Sequence, residues 1–330
     1  MMSRKYSVVH ISQTPLVGAP GKIAKALQLS GIRSSCFCVN DYPNKGPLYK
    51  NFIDNTLPLS AFDKQLWDFF DYEIAKADIL HIHNDIDLMI LNRILPLCES
   101  KKIVYQVHSP LREGPLFVDR TDALEVDFAK KLVVAQYQPR HYPDYECVPN
   151  IVLDMPSYIP RREQDILKVV FSPTHSRHGR WNAKNSPNLE KTLTTLSDNG
   201  KISLFMPEKP VSPKELMLVR KYSDVTIDEI ATGAYHQISL EGLCAGNVVI
   251  NRSDYFSKRM LSLVADTISP PPFVYADDGN IFDVICELAE NVSLTNDIKR
   301  KSYEFFMDNL RPELLVKRYV SIYDEVYEAN

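Results

Sequence analysis

A chain of 330 residues exceeds one ordinary domain and suits about two, each able to bury its own core. With 45% hydrophobic and 24% charged residues, the composition excludes a disordered tract and a membrane channel. A net charge of −4 provides no overall attraction to nucleic acid, and no run reaches the roughly 18 apolar residues that a transmembrane helix needs.

After Arg4 and Lys5, the apolar run 6–11 is too short for the core of a secretion signal and reads as a first buried strand. A loop (12–21), a helix (22–31) closed by Gly31, and a strand (32–40) follow as the start of a parallel α/β sheet. Residues 41–59, rich in Pro and Asn, read as irregular loop, and the stretch around Trp67, Phe69 and Phe70 is amphipathic. Strands are expected over 77–83, 101–109 and 131–137, with a helix over 88–97 and a short strand at YECVP.

Residues 150–165 carry prolines and charges without periodicity and read as a linker. A second alternating series starts with strand 166–173, helix 189–200 and strand 202–207, then strand 223–229 and a helix ending before GNVVINR. The tail 297–327 is helical in pattern, with Pro312 opening a new helix. The expected architecture is two Rossmann-like α/β domains, 1–160 and 161–310, facing a central cleft, with a C-terminal helix, 311–330, packing back across toward the first. Six scattered cysteines without zinc spacing read as reduced core thiols of a cytoplasmic protein.

In parallel sheets, ligands bind at the carboxyl ends of strands, so four loops draw interest. In PLVGAPGK (15–22), Gly18 and Gly21 allow close backbone approach to an anion, although a plain tight turn fits equally well. His108 ends its strand where an imidazole reaches a substrate or caps the next turn. His81 and His83, two residues apart, share a strand face and read as core or rim histidines; no metal ligand set is expected.

The third loop, SPTHSRHGRWNAKNSP (172–187), sets Arg177, Arg180 and Lys184 with Thr174 and His175 ahead of a helix, a charge arrangement suited to a diphosphate; a solvated basic loop is the alternative. In the fourth (226–251), Gly233, Ala234 and Tyr235 lead into a helix bearing Glu241 among apolar neighbours. Burying that carboxylate demands a hydrogen-bond partner, for which vicinal ribose hydroxyls are suited. The alternative is a glutamate facing water.

GAYHQISLEGLCAGNVVI resembles the donor-site signature of family 4 and related GT-B glycosyltransferases. SPTHSR with Lys184, GAPGKIAKAL, the His108 strand end and VPNIVLD are similar to further segments of that family, so the resemblance spans nearly the whole chain. It implies Arg177, Lys184 and Arg180 at the donor diphosphate, Glu241 at the ribose, and His108 near the transferred sugar, with His108 and Glu241 as catalytic candidates. Gly18, Ala19, Thr174, His175, Gly233, Ala234 and Tyr235 would line the donor and acceptor loops.

The resemblance further implies an acceptor-side first domain, a UDP-, GDP- or dTDP-linked donor, no obligatory cofactor, and retention of configuration. A glycan or lipid-linked sugar would be the acceptor, in polysaccharide biosynthesis, at or near the inner face of a membrane. One departure stands out: such enzymes often carry a glutamate eight positions before the second, where this chain has Gly233. A nucleotide-sugar epimerase of the same fold and a non-catalytic sugar- or nucleotide-binding subunit are the alternatives.

Overall fold

The computed structural model describes residues 6–40, 55–59, 64–97, 99–109, 126–172, 186–208 and 211–329. The chain divides into two compact units, Met1–Leu153 together with Pro312–Asn330, and Asp154–Arg311.

The first unit holds a parallel sheet of β1 (Ser7–Ser12), β2 (Arg33–Cys38), β3 (Leu57–Pro58), β4 (Ile79–His83), β5 (Lys102–Val107), β6 (Lys130–Val134) and β7 (Glu146–Val148) in the order β3-β2-β1-β4-β5-β6-β7. Alternation sends Val9, Ile11, Leu80, Ile82, Ile103 and Tyr105 into a core with Phe70 and Ile74 of helix Lys64–Lys76 and Ile90 and Ile94 of helix Leu88–Ile94. The intervening residues His10, Ser12, His81, His83 and Gln106 are also buried.

The C-terminal helix Pro312–Glu328 meets that polar face: Gln106 Nε2 donates to Tyr319 Oη (3.3 Å), and His81 Nδ1 lies 2.6 Å from Tyr323 Oη. Tyr6 Oη donates to Asp324 (2.8 Å) and Tyr319 Oη to the Pro149 carbonyl (2.8 Å), which ties the tail into this unit. Arg311 is extended (φ −60°, ψ 144°), as a residue before proline prefers, so the helix ahead of it ends there and a new one starts at Pro312.

The second unit holds β8 (Leu167–Phe171), β9 (Ile202–Phe205), β10 (Val225–Ile227), β11 (Val248–Asn251) and β12 (Val274–Tyr275), parallel in the order β12-β11-β10-β8-β9. Ser186 caps helix Pro187–Asp198, and Ser212 with Glu215 forms a capping box on helix Pro213–Lys221. Helix Gln237–Cys244 packs so tightly on the sheet that a Cβ on Gly242 would sit 2.8 Å from Val249 Cγ2.

Two expectations are corrected. Residues 57–58 form an edge strand inside the stretch read as irregular loop; Pro58 is tolerated because β3 is the outermost strand. The residues read as a linker are largely built into the second unit. Ser157 N donates to the Cys244 carbonyl (2.9 Å), and the buried Arg161 guanidinium donates to the Leu288 (2.9 Å) and Ala289 (2.8 Å) carbonyls near the end of helix Ile281–Glu290.

Candidate functional site

Each sheet reverses its strand order once, and ligands of open α/β sheets bind at the carboxyl ends beside such a reversal. In the first unit the reversal lies between β1 and β4, and in the second between β8 and β10. The four loops singled out from sequence follow β1, β5, β8 and β10, so three of them flank a reversal point directly.

In the second unit, β10 runs into Asp228 and Glu229, both buried. Asp228 Oδ2 accepts from His236 N (2.6 Å) and Ser239 Oγ (2.7 Å), and its Oδ1 lies 3.2 Å from His236 Nδ1. Burial alone would raise the Asp228 pKa, but the charge of His236 and these hydrogen bonds together hold it below the ordinary carboxylate value. Asn251 Nδ2 donates to Ser239 Oγ (2.9 Å), which extends the network to the end of β11. The result is an oriented imidazole at the start of helix Gln237–Cys244, backed by a carboxylate as in general acid–base pairs.

Glu229 accepts from the amides of Ala231 and Thr232 (both 2.7 Å) and so shapes the turn that leads to Gly233. Gly233 is left-handed (φ 81°), a conformation that disfavours glutamate there on steric grounds. Ala234 and Tyr235 are buried, with the Tyr235 ring 5.7 Å from that of Phe273.

Glu241 is buried, and its Oε2 accepts from Arg220 Nη1 at 2.7 Å. The cost that called for a partner is thus met in part by a guanidinium from helix Pro213–Lys221, itself 1% exposed. Thr174, His175, Arg177, Arg180 and Lys184 lie outside the described residues; by sequence they belong to the connection from β8 to helix Pro187–Asp198.

In the first unit, β1 leads into a turn in which Leu16 (φ 48°), Val17 (φ 57°) and Gly18 (φ 80°) are all left-handed, an arrangement strained for a β-branched valine. Ala19, buried, starts helix Ala19–Leu29. At the end of β4, Asn84 Oδ1 accepts from His108 N (2.7 Å), and Gln138 Nε2 donates to the His108 carbonyl (2.7 Å).

His108 Nε2 lies 2.9 Å from His83 Nδ1, and His83 Nε2 lies 2.9 Å from His10 Nδ1. Burial pushes His108 down to about 3, and burial with the charge of His108 does the same to His10, so both rings are neutral at pH 7. His10 Nε2 is buried without a hydrogen-bond partner among the described residues. An unmet lone pair costs less there than an unmet N–H, so the favoured proton order is His10 Nδ1–H to His83, His83 Nδ1–H to His108, and Nδ1–H outward on His108.

Sequence reasoning missed His10, Arg220, His236 and Ser239. A polar residue at a buried strand position was the available signal for His10; the others required knowledge of which helices and loops meet. It also passed over one acid triplet, Asp85-Ile86-Asp87, in which Asp87 caps helix Leu88–Ile94 by accepting from Ile90 N (3.0 Å). A surface hollow lined by Lys101, Lys102, Lys130 and Glu325 lies at the amino ends of β5 and β6, at the far end of the sheet from these loops.

No family model and no curated protein matches the chain. Solved structures do. A sucrose-phosphate synthase from Thermosynechococcus elongatus is similar with a TM-score of 0.63 at 9% identity, over 98% of this chain and 100% of that one. A glycosyltransferase from Rickettsia africae gives 0.57 at 12%, over 99% and 100%. A protein described as a UDP-N-acetylglucosamine 2-epimerase from Listeria monocytogenes gives 0.55 at 11%, over 99% and 98%. At such identities the likeness is one of fold, and that fold is GT-B. Among the described residues, no helix is long and apolar enough to cross a membrane.

Proposed function

We propose that the chain is a glycosyltransferase that moves a sugar from a nucleotide-sugar donor, held by the second unit, to a hydroxyl of a glycan or lipid-linked acceptor on the first. The observation that carries this reading is the Asp228–His236 loop, which leaves β10 at the β8/β10 reversal and opens a helix; by sequence alone, Arg177, Arg180 and Lys184 belong to the connection that follows β8, the strand on the other side of that reversal. A diphosphate needs cations and helix N-terminal amides, and a departing nucleotide needs its growing charge met by groups already in position. The fold shared with a sucrose-phosphate synthase and a glycosyltransferase supports the same reaction class.

In this reading Arg177, Lys184 and Arg180 hold the diphosphate, and Glu241, whose Oε2 accepts from Arg220, receives the ribose hydroxyls. His108 lies toward the transferred sugar. Retention of configuration and a leaving group stabilised without an obligatory metal belong to the family 4 resemblance. Glu241→Gln, which keeps a hydrogen-bond acceptor for Arg220, is expected to raise the donor KM, and Lys184→Ala to lower transfer by about 10²-fold or more. Wild-type kinetics in both variants would remove these assignments.

The similarity to the Listeria epimerase favours one second reading, conversion of the donor sugar without an acceptor. Incubation with UDP-, GDP- and dTDP-sugars separates the two, since transfer or hydrolysis releases nucleoside diphosphate and epimerisation leaves the nucleotide-sugar intact.

A further inference from the structure

The buried polar face of the first sheet carries more hydrogen-bonding atoms than it satisfies. His10 Nε2, Ser12 Oγ, His81 Nε2 and Gln106 Oε1 are each buried with no partner among the described residues. Each such atom costs about 1–3 kcal/mol unless something meets it. Ordered water is the ordinary answer for hydroxyls and amides, but two of these atoms are imidazole nitrogens within one cluster.

His10, His81 and His83 each offer a ring nitrogen, and these lie within 4.8 Å of one another. Strand register creates the cluster, because His10 stands opposite His81 across β1 and β4, and His83 is two residues further along the same face. The His81 and His83 rings stack with centroids 4.0 Å apart. His10 Nε2 and His81 Nε2 are buried without a partner among the described residues, and His83 Nε2 lies 2.9 Å from His10 Nδ1, a hydrogen bond that an ion between the rings would replace.

The outer contacts are those of ligands already oriented. His81 Nδ1 is held by Tyr323 Oη at 2.6 Å and His83 Nδ1 by His108 Nε2 at 2.9 Å, which leaves Nε2 of each ring turned to the cluster. A metal-binding histidine usually has its second nitrogen fixed in this way. Zinc–nitrogen bonds of about 2.0–2.1 Å put tetrahedral ligand atoms about 3.3 Å apart, so closure on an ion asks for shifts on the order of an ångström.

We propose that His10, His81 and His83 form a binding site for one late first-row transition ion, of which Zn2+ is the type, with water as the remaining ligand. An all-imidazole set selects zinc, copper or nickel over magnesium or calcium. The ion brings positive charge into a face without a carboxylate ligand, and ionisation of its bound water, whose pKa on zinc falls to about 7, offsets part of it. The site lies wholly in the first unit and does not rest on the proposed transfer reaction.

The test uses the full chain, stripped with chelator, dialysed against Zn2+, and assayed for retained metal, with Co2+ as a spectroscopic substitute. One equivalent per chain is expected, with the intense visible bands of four-coordinate cobalt, lost in His81→Ala and His83→Ala and kept in His141→Ala. Tyr323→Phe preserves the ring and removes only the hydroxyl on His81, so it carries the test if the alanine variants do not fold; affinity should fall about 10–100-fold. Retention well below one equivalent by the wild-type chain, a six-coordinate cobalt spectrum, or unchanged affinity in Tyr323→Phe would each overturn the site and leave ordered water as the occupant of this face.

Discussion

At the level of single residues, the Arg220–Glu241 pair is both a structural contact and a constraint on function. Removing one partner strands the other charge in the interior, so Glu241→Ala should cost about 3–5 kcal/mol of stability and Glu241→Gln less, as urea unfolding would measure. Any loss of transfer in Glu241→Ala is therefore read only against a folded control. The cost of burying Glu241 was legible in the sequence; Arg220, 21 residues earlier, was not, because only tertiary packing brings its helix alongside.

The histidine face makes a second prediction at this scale. Folded His10 and His108 titrate near 3, whereas an unfolded imidazole titrates near its ordinary value of 6.5, so between these limits the unfolded chain binds more protons. Stability should be full above about pH 7 and fall progressively as the pH drops through 6.5 toward 3, and His10→Gln should flatten that fall. Denaturant midpoints of the chelator-stripped chain at about pH 7, 5.5 and 4.5 check it; a profile equal in wild type and variant would contradict it.

Among the secondary-structure elements, the apolar strands were legible because they are buried on both faces and read as continuous hydrophobic runs. The two-residue strands β3 and β12 were not, since so short a segment has no period to detect. Helices Pro213–Lys221, Tyr255–Val264 and Ile281–Glu290 were also missed, although Ser212 with Glu215 and Asp254 mark the starts of the first two.

Gly246, visible in the sequence as the end of its helix, proves to have a stricter role. It is left-handed (φ 63°), and a Cβ there would sit 2.6 Å from the Ser157 carbonyl oxygen. Gly246→Ala should therefore cost more than the roughly 1–3 kcal/mol of a strained backbone alone and lower the thermal midpoint by several degrees. The contact also explains why residues that read as a linker are held against the second unit.

For the molecule as a whole, two parallel sheets, each with one reversal of strand order, set the position of the candidate site loops. Gly18 and Asn84 mark the first reversal, and the Asp228–His236 loop marks the second. Order of elements was readable from the alternation of apolar runs and helices, but the reversal points were not, because strand order depends on pairing between segments distant in sequence. Donor identity and acceptor class stay with the proposed reading and its kinetic tests.

Calorimetric titration of the folded chain with UDP, GDP and dTDP tests whether the second unit holds a nucleotide donor. One molecule of at least one of these nucleotides is expected per chain, with affinity reduced about tenfold or more in Lys184→Ala and Arg177→Ala. Absence of heat for all three, with the chain shown to be folded, would contradict it.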